Sequence, residues 1–150
     1  MISITELTGS ERVKLANRLR PVLLHLSRQL RRELAPLGIT GGQAALLHAI
    51  RTNPGIGVRD LAAREGMSAP AVTAYLDRLE AAGLVERSRS KDDRRRVIVA
   101  VTEKGLRVLR SARAARTAWL AARLRRLTPD EIAALEAAID PLARLLEEER

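Results

Sequence analysis

The stretch from Leu84 to Thr102 restricts the possible folds more than any other part of this sequence. It reads LVERSRSKDDRRRVIVAVT, which predicts two short apolar strands on either side of a hairpin tip. Residues 61–83, immediately before it, predict two short helices separated by a tight turn. A basic hairpin behind such a helix pair is the layout of a winged helix-turn-helix. We therefore expect a mainly α fold with a small β-hairpin (α+β).

The predicted hairpin tip is strongly basic, with Asp92 and Asp93 opposing six cations: Arg87, Arg89, Lys91, Arg94, Arg95 and Arg96. The chain carries a formal net charge of +9, which favours a polyanionic partner because neutralised phosphates release counterions. A general bias toward arginine is the alternative explanation on the helical arms. The only aromatic residues are Tyr75 and Trp119, so the stacking platforms that grip single strands and RNA bases are missing. The sequence therefore favours double-stranded DNA.

The remaining chemistry argues against an enzyme, a metal site or a membrane protein. No cysteine is present, and the two histidines, His25 and His48, do not stand in a cluster of ligand residues, so we expect no metal or cofactor. No nucleophile with a base and no glycine-rich phosphate loop occurs. The N-terminus lacks the apolar segment of a signal peptide, and no apolar run approaches the ~18 residues of a membrane span. We expect a cytoplasmic protein.

The first 60 residues predict two amphipathic helices and a short strand. Thr8 and Glu11 stand in capping-box spacing, so a helix of some 25 residues is expected to begin near Ser10 and to end around 36–38, with a bend at Pro21. Its apolar stripe comprises Leu15, Leu19, Val22, Leu23, Leu26, Leu30, Leu34 and Leu37. A second capping box, at Thr40 and Gln43, opens a helix that buries Ala44, Leu47 and Ile50. Residues 56–58 are predicted as a strand, followed by a helix over 59–65 that Gly66 ends.

The next helix is expected to begin at Ser68 and to end at Gly83. Val72, Leu76 and Leu79 recur at helical spacing and predict its buried face. The opposite face is then formed by Ala69, Pro70, Thr73, Ala74, Asp77 and Arg78. Small residues at the start of this helix allow its backbone to approach the floor of a DNA groove.

Two further helices are predicted after the hairpin. Thr102 caps a helix over 103–127, and Thr128 with Glu131 forms the strongest helix start in the chain. The apolar stripes of the terminal helices exceed what the small centre can cover, which indicates a two-fold homodimer. We therefore expect a single domain over 1–150, with a DNA-binding lobe at 39–102 and helical dimerisation arms at 1–38 and 103–150.

Three segments in order carry a resemblance to a known family. They are LGITGGQAALLHAI, VRDLAAREGMSAPAVTAYLDRLEAAGLVER and DDRRRVIVAVTEKG. The last contains Asp93, Arg95, Thr102 and Gly105 in the spacing of the wing pattern of MarR/SlyA-type (multiple antibiotic resistance) regulators. The chain resembles that family over nearly its whole length.

The resemblance implies a dimeric transcriptional regulator, a repressor in our interpretation, on a near-palindromic operator. Residues 68–78 would form the recognition helix in the major groove, Arg95 would reach the minor groove, and Asp93 would hold the wing loop. The chain departs from many members at Ala74, where they carry Arg or Lys, and at Tyr75, where they carry an aliphatic residue. Base readout is then expected from Thr73, Arg78 and methyl contacts. The full predicted DNA-binding set is Ser68, Ala69, Pro70, Thr73, Ala74, Arg78, Arg94, Arg95 and Arg96.

The resemblance also implies an effector pocket between the arms and the DNA-binding lobe. His25, Arg28 and Trp119 are its predicted lining, for a small aromatic or amphipathic molecule, with plain packing as the alternative for Trp119. Two other functions stay open at this point. One is a non-specific architectural DNA-binding protein, and the other is a winged helix that contacts an acidic protein.

Overall fold

The computed structural model describes residues 9–147, which form helices and one antiparallel hairpin. The helices are α1 (Gly9–Arg32), α2 (Gly41–Thr52), α3 (Val58–Glu65), α4 (Ala69–Ala81), α5 (Glu103–Leu124) and α6 (Pro129–Arg144), and a short 3-10 turn covers Ala35–Leu37. Strands β1 (Val85–Arg89) and β2 (Val97–Val101) pair with Val85 opposite Val101 and Arg89 opposite Val97. The predicted mainly α fold with a small hairpin is confirmed.

The chain divides into two compact units within α5. The first ends at Arg116 and the second begins at Thr117. The sequence placed its boundary at the start of α5 instead, between the lobe over 39–102 and the C-terminal arm. That functional division stays a prediction.

The core of the first unit is built from aliphatic side chains of α2, α3, α4 and the hairpin. Its fully buried members include Leu34, Leu46, Leu47, Ile50, Leu61, Val72, Leu76, Leu79, Val85 and Val99. Each such side chain stabilises the fold by about 1.5–3 kcal/mol relative to exposure. The expected buried faces of α2 and α4 are confirmed, and the burial of Val72, Leu76 and Leu79 fixes which side of α4 remains accessible.

Local capping explains where the helices begin. In α2, Gln43 N–H donates to Thr40 Oγ1 (3.2 Å) and Thr40 N–H donates to Gln43 Oε1 (2.9 Å). Thr128 and Glu131 make the same reciprocal pair at the start of α6. The capping boxes predicted at Thr40 and at Thr128 are confirmed. The capping box predicted at Thr8 and Glu11 lies partly outside the described residues.

Three element boundaries differ from the sequence predictions. Helix α1 ends at Arg32, because Pro36 has no N–H to bond the Arg32 carbonyl and its ring would clash there. Helix α5 ends at Leu124, and the following turn tightens, with Leu127 N–H donating to the Leu124 carbonyl. The strand predicted over 56–58 is wrong: α3 already begins at Val58, which leaves a single bridge between Gly57 and Ile98.

A joint of hydrogen bonds connects the end of α4 to the start of α5. Thr102 Oγ1 donates to the Gly83 carbonyl (2.6 Å) and accepts from Gly105 N–H (3.1 Å). Lys104 Nζ donates to the Ala82 carbonyl at 2.9 Å. A Cβ at Gly105 would collide with the Leu84 carbonyl oxygen, so only glycine fits this contact. The joint therefore fixes the C-terminal end of α4 to the start of α5.

The terminal helices expose apolar surface in the single chain. On α1 the exposed large hydrophobic side chains are Val13, Leu15, Val22, Leu23, Leu24 and Leu26. On α6 and just beyond it they are Leu135, Ile139, Leu145 and Leu146, with Ile139 62% exposed. In the range 9–147 no helix is both long and apolar enough to span a membrane.

Candidate nucleic-acid interface

Helix α4 presents a continuous accessible face that begins at its N-cap. Ser68 Oγ accepts from Ala71 N–H (3.2 Å), and Pro70 lies in the first turn, where its missing N–H leaves no bond unmade. Every residue predicted to face DNA on this helix is exposed: Ser68, Ala69, Pro70, Thr73, Ala74 and Arg78. The structure therefore brings these six side chains to one surface.

The polar groups on this face differ in whether they already form hydrogen bonds or ion pairs within the protein. Thr73 Oγ1 donates to the Ala69 carbonyl at 3.0 Å, so the hydroxyl proton is used within the helix and the oxygen keeps its acceptor capacity. Arg78 forms none of the ion pairs of residues 9–147. Ala74 has no polar group. Tyr75 turns away from this face, because its phenol lies against Gly42 at the start of α2.

The wing tip is held by its own backbone and by Asp93. Arg95 N–H donates to Asp93 Oδ1 (3.0 Å), and Arg96 N–H donates to the Asp93 carbonyl (2.9 Å). Ser90 N–H closes the loop by donating to the Arg96 carbonyl at 2.9 Å. The Asp93 carboxylate therefore faces the loop backbone. The exposed Arg95 side chain projects from a turn that these hydrogen bonds hold in one conformation.

The six cations predicted at the hairpin tip are not equivalent. Arg87 and Arg89 lie within β1, and Arg89 Nη1 donates to the Arg94 carbonyl at 3.1 Å. Arg96 Nη2 lies 3.5 Å from Asp60 and 3.4 Å from the Gly55 carbonyl, which ties the wing base to the N-terminal turn of α3. The prediction of one six-residue basic tip is therefore wrong. Lys91, Arg94 and Arg95 remain as exposed cations outside the ion pairs of the described chain.

Arg87 joins the wing to α4 through two carboxylates. Its Nη2 lies 2.6 Å from Asp77 Oδ1, and its Nε lies 3.0 Å from Glu80 Oε2. The hydrogen bond from Arg87 holds the pKa of the Glu80 carboxyl below its usual value, and the same bond raises the pKa of Arg87. Because Asp77 and Glu80 lie on the accessible part of α4, the pairing also offsets one of the two negative charges beside the candidate interface.

Arg59 is a candidate contact residue that the sequence reasoning missed. It is the second residue of α3, whose N-cap Gly57 makes no side-chain capping hydrogen bond. With Arg95 and Arg96 it lines a cleft of about 480 Å³ between α3 and the wing. Its position in the first turn of a helix, where free N–H groups favour anions, was the available signal.

The predicted effector residues are not brought together in one cavity of the first unit. His25 and Arg28 are exposed on α1, and a cleft beside them of about 390 Å³ is lined by other side chains. Trp119 belongs to the second unit, where the Arg123 guanidinium lies 3.8 Å from its ring centroid. The effector pocket stays a prediction. Among the described residues no group of three or more potential ligands could hold a metal ion.

A helix pair with an accessible second helix, followed by an antiparallel wing, defines a winged helix-turn-helix regulator of the DNA-binding class. Comparisons with known proteins identify the family. The MarR family model matches residues 39–97. An HTH-type transcriptional regulator of Mycobacterium bovis is 33% identical over 135 residues, which are 90% of this chain and 94% of that protein. The chain belongs to the MarR family of transcriptional regulators, which are not enzymes.

Solved structures agree with this assignment. A protein from Pseudomonas aeruginosa described as a transcriptional regulator superimposes with a TM-score of 0.81 at 33% identity, over 95% of this chain and all of the other. A mutant of Staphylococcus aureus MepR bound to an oligodeoxyribonucleotide has a TM-score of 0.67 at 20% identity, over 95% of this chain and all of that one. At 20% identity, the similarity to MepR shows that the two proteins share a fold and nothing more.

Proposed function

We propose that this protein is a sequence-specific, double-stranded DNA-binding regulator that acts as a cytoplasmic homodimeric repressor on a near-palindromic operator. The observation that carries the proposal is the accessible face of α4, with six exposed residues beside a wing whose tip holds three exposed cations. The two parts are joined by Arg87. MepR with its bound oligodeoxyribonucleotide shows that this fold can hold DNA.

In this proposal α4 enters the major groove with its small N-terminal residues leading. Arg78 supplies a bidentate donor for guanine, and Thr73 Oγ1 accepts from a base amino group. Ala69, Pro70 and Ala74 contribute close approach and methyl contacts. Ser68 lies at the N-cap, where it meets the edge of the groove.

The wing supplies the second contact. Arg95 inserts into the minor groove, where a narrow A·T-rich segment enhances the negative potential. Arg94 meets the flanking phosphates. A contact from Arg96 would compete with its ion pair to Asp60 at 3.5 Å, so we assign Arg96 the weakest share of the wing contacts.

Dimer formation is supported by the exposed apolar residues of α1 and α6. Leu23 and Ile139 are 42% and 62% exposed in the single chain. Extended apolar stripes of this kind are usually covered by another subunit. A two-fold dimer would present two α4 helices about 34 Å apart, the repeat of the major groove on one face of DNA. A small aromatic or amphipathic effector would release the operator by changing this separation.

Footprinting on the DNA upstream of its own gene, followed by a salt titration, tests the proposal. A protected near-palindrome bound at least about 10³-fold more tightly than shuffled sequence is expected for a specific regulator. The alternative is a non-specific architectural protein, which would bind both sequences alike with a similar salt dependence. Equal affinity for the two sequences at every salt concentration would exclude sequence-specific regulation.

A further inference from the structure

A cleft between α2 and α5 has a concentration of positive charge that the DNA interface does not use. Its volume is about 460 Å³, within the range of small-molecule sites. Both walls belong to the first unit of the chain. The cationic lining residues are Arg51, Arg110, Arg113 and Arg116, and His48 also lines the cleft.

Helical spacing explains how the charges converge. His48 and Arg51 are three residues apart on α2, and Arg110, Arg113 and Arg116 follow one another at three-residue steps on α5. Residues at such steps share one side of a helix. The two basic sides therefore face the same cleft. Small and apolar lining residues between them, including Ala44, Ala45 and Leu109, keep the cleft open.

No acidic side chain lines the cleft to balance these cations. The ion pairs among residues 9–147 involve Arg87 and Arg96, not the arginines of the cleft. Arg116 Nε makes one long hydrogen bond, 3.4 Å, to the Ala112 carbonyl, which leaves its other N–H groups available. Four guanidinium groups of like charge thus repel one another here, and a bound anion would relieve that repulsion.

The number and type of hydrogen-bond donors in the cleft determine whether a carboxylate or a phosphate group fits it better. A single carboxylate offers two oxygens and is satisfied by one guanidinium fork, whereas phosphate groups offer more oxygens and up to two charges each. The residues Tyr75 and Trp119 are absent from the lining, so a flat aromatic acid would find neither a phenol nor an indole ring to stack on. We propose that this cleft is a binding site for a small phosphorylated molecule, held by the arginines of α2 and α5.

Calorimetric titration of the full-length protein with inorganic pyrophosphate, without DNA and at constant ionic strength, tests the site. Saturable binding of one pyrophosphate per chain is expected. Replacing two lining arginines, Arg110→Gln with Arg113→Gln, should raise the dissociation constant about tenfold or more, because each lost charged hydrogen bond is significant. Arg51→Gln, on the opposite wall, should weaken binding independently.

The matched control removes the same charge elsewhere. Arg107 and Arg125 are exposed and lie outside the cleft lining, so Arg107→Gln with Arg125→Gln should leave pyrophosphate affinity unchanged. Equal weakening in the control, or the absence of saturable binding, would overturn the proposal. So would a cleft variant that binds duplex DNA more weakly with no pyrophosphate present, since the cleft would then hold DNA phosphates. None of the pyrophosphate measurements depends on operator recognition.

Discussion

Arg87 Nη2 lies 2.6 Å from Asp77 Oδ1, so strand β1 of the wing is bonded directly to helix α4. Glu80 accepts from the same guanidinium one helical turn further along α4. The two elements proposed to contact DNA are thereby held at a set distance. Arg87, which the sequence suggested as part of the basic tip, instead joins β1 to α4.

Removing this connection should weaken operator binding. Arg87→Ala would leave Asp77 and Glu80 unneutralised near DNA phosphates, and we expect at least about a tenfold loss of affinity because juxtaposed like charges are unfavourable. Arg87→Lys keeps the charge but loses the two-pronged geometry and should be intermediate. Fluorescence anisotropy with labelled operator measures both. An Arg87→Ala protein that binds as tightly as the wild type would contradict the assigned role.

The Glu80 contact predicts a pH-dependent contribution to stability. The hydrogen bond from Arg87 lowers the pKa of this carboxyl in the folded chain. A carboxyl of this kind stabilises the fold above its ordinary, unfolded pKa and loses that contribution as the pH falls through the lower folded value. The Tm of the wild type should therefore exceed that of Glu80→Gln at neutral pH, and the two should converge as the pH falls through the lowered pKa of Glu80.

Thermal melts between neutral pH and about pH 3 measure this convergence. Glu86→Gln serves as the matched control, because Glu86 is exposed on β1 and takes part in no ion pair of the described chain. Its Tm difference from the wild type should lack this convergence. A Glu80→Gln difference that grew on acidification would have the wrong sign.

The wing tip should carry a measurable share of DNA affinity. Arg95→Ala is expected to weaken operator binding by about 1–3 kcal/mol, the range for a well-placed arginine contact. Arg107→Ala removes the same charge from an exposed position on α5 and should have little effect. Anisotropy titrations at physiological salt compare the two variants. Unchanged affinity for Arg95→Ala would show that the minor-groove contact lies elsewhere on the wing.

The exposed face of α6 should support self-association. Ile139→Glu places a charge in the middle of the proposed dimer contact and should raise the dimer dissociation constant at least roughly 100-fold, since an unpaired buried charge is costly. Light scattering with size-exclusion chromatography gives the mass. Val97→Glu changes an exposed aliphatic residue on β2 in the same way and should leave the dimer intact. A wild-type monomer would refute the contact altogether.

The close packing at Gly105 predicts a stability defect. Gly105→Ala would force its Cβ against the Leu84 carbonyl and the Val101 side chain, and overpacking of this kind destabilises by about 1–3 kcal/mol. Urea denaturation measures the change. Gly9→Ala adds a methyl group with no atom within 4 Å and should be neutral or slightly stabilising. Equal stability of the two variants would show that the joint can relax.

Features with a local cause could be predicted from the sequence. The capping boxes at Thr40 and Thr128 depend on residues three apart, and the buried face of α4 depends on helical spacing alone. The position of the hairpin followed from the apolar pair Leu84 and Val85 and the β-branched run over 97–101, which flank a polar tip. These features depend on residues close together in the sequence, and such residues form patterns that can be recognised without knowing the fold.

Features that depend on packing between elements could not be predicted in this way. The pairing of Arg87 with Asp77 spans ten residues and requires the observed angle between β1 and α4. Arg96 donates a hydrogen bond to the Gly55 carbonyl, 41 residues away. No pattern in the sequence indicated that this contact would make the Arg96 side chain less available to DNA. The cleft cations of α2 and α5 are more than 50 positions apart in the chain and become neighbours only through the core.

The joint at Thr102 makes the connection between α4 and α5 independent of the side chains on the outer face of α4. Its bonds use backbone groups at Ala82, Gly83 and Gly105, the Thr102 hydroxyl and the Lys104 ammonium, so it involves none of the exposed residues of α4. Substitutions on that outer face can therefore alter which operator is recognised while the mechanical link to α5 stays the same. Regulators with new targets and an inherited response could diverge from this scaffold by changing only a handful of surface positions.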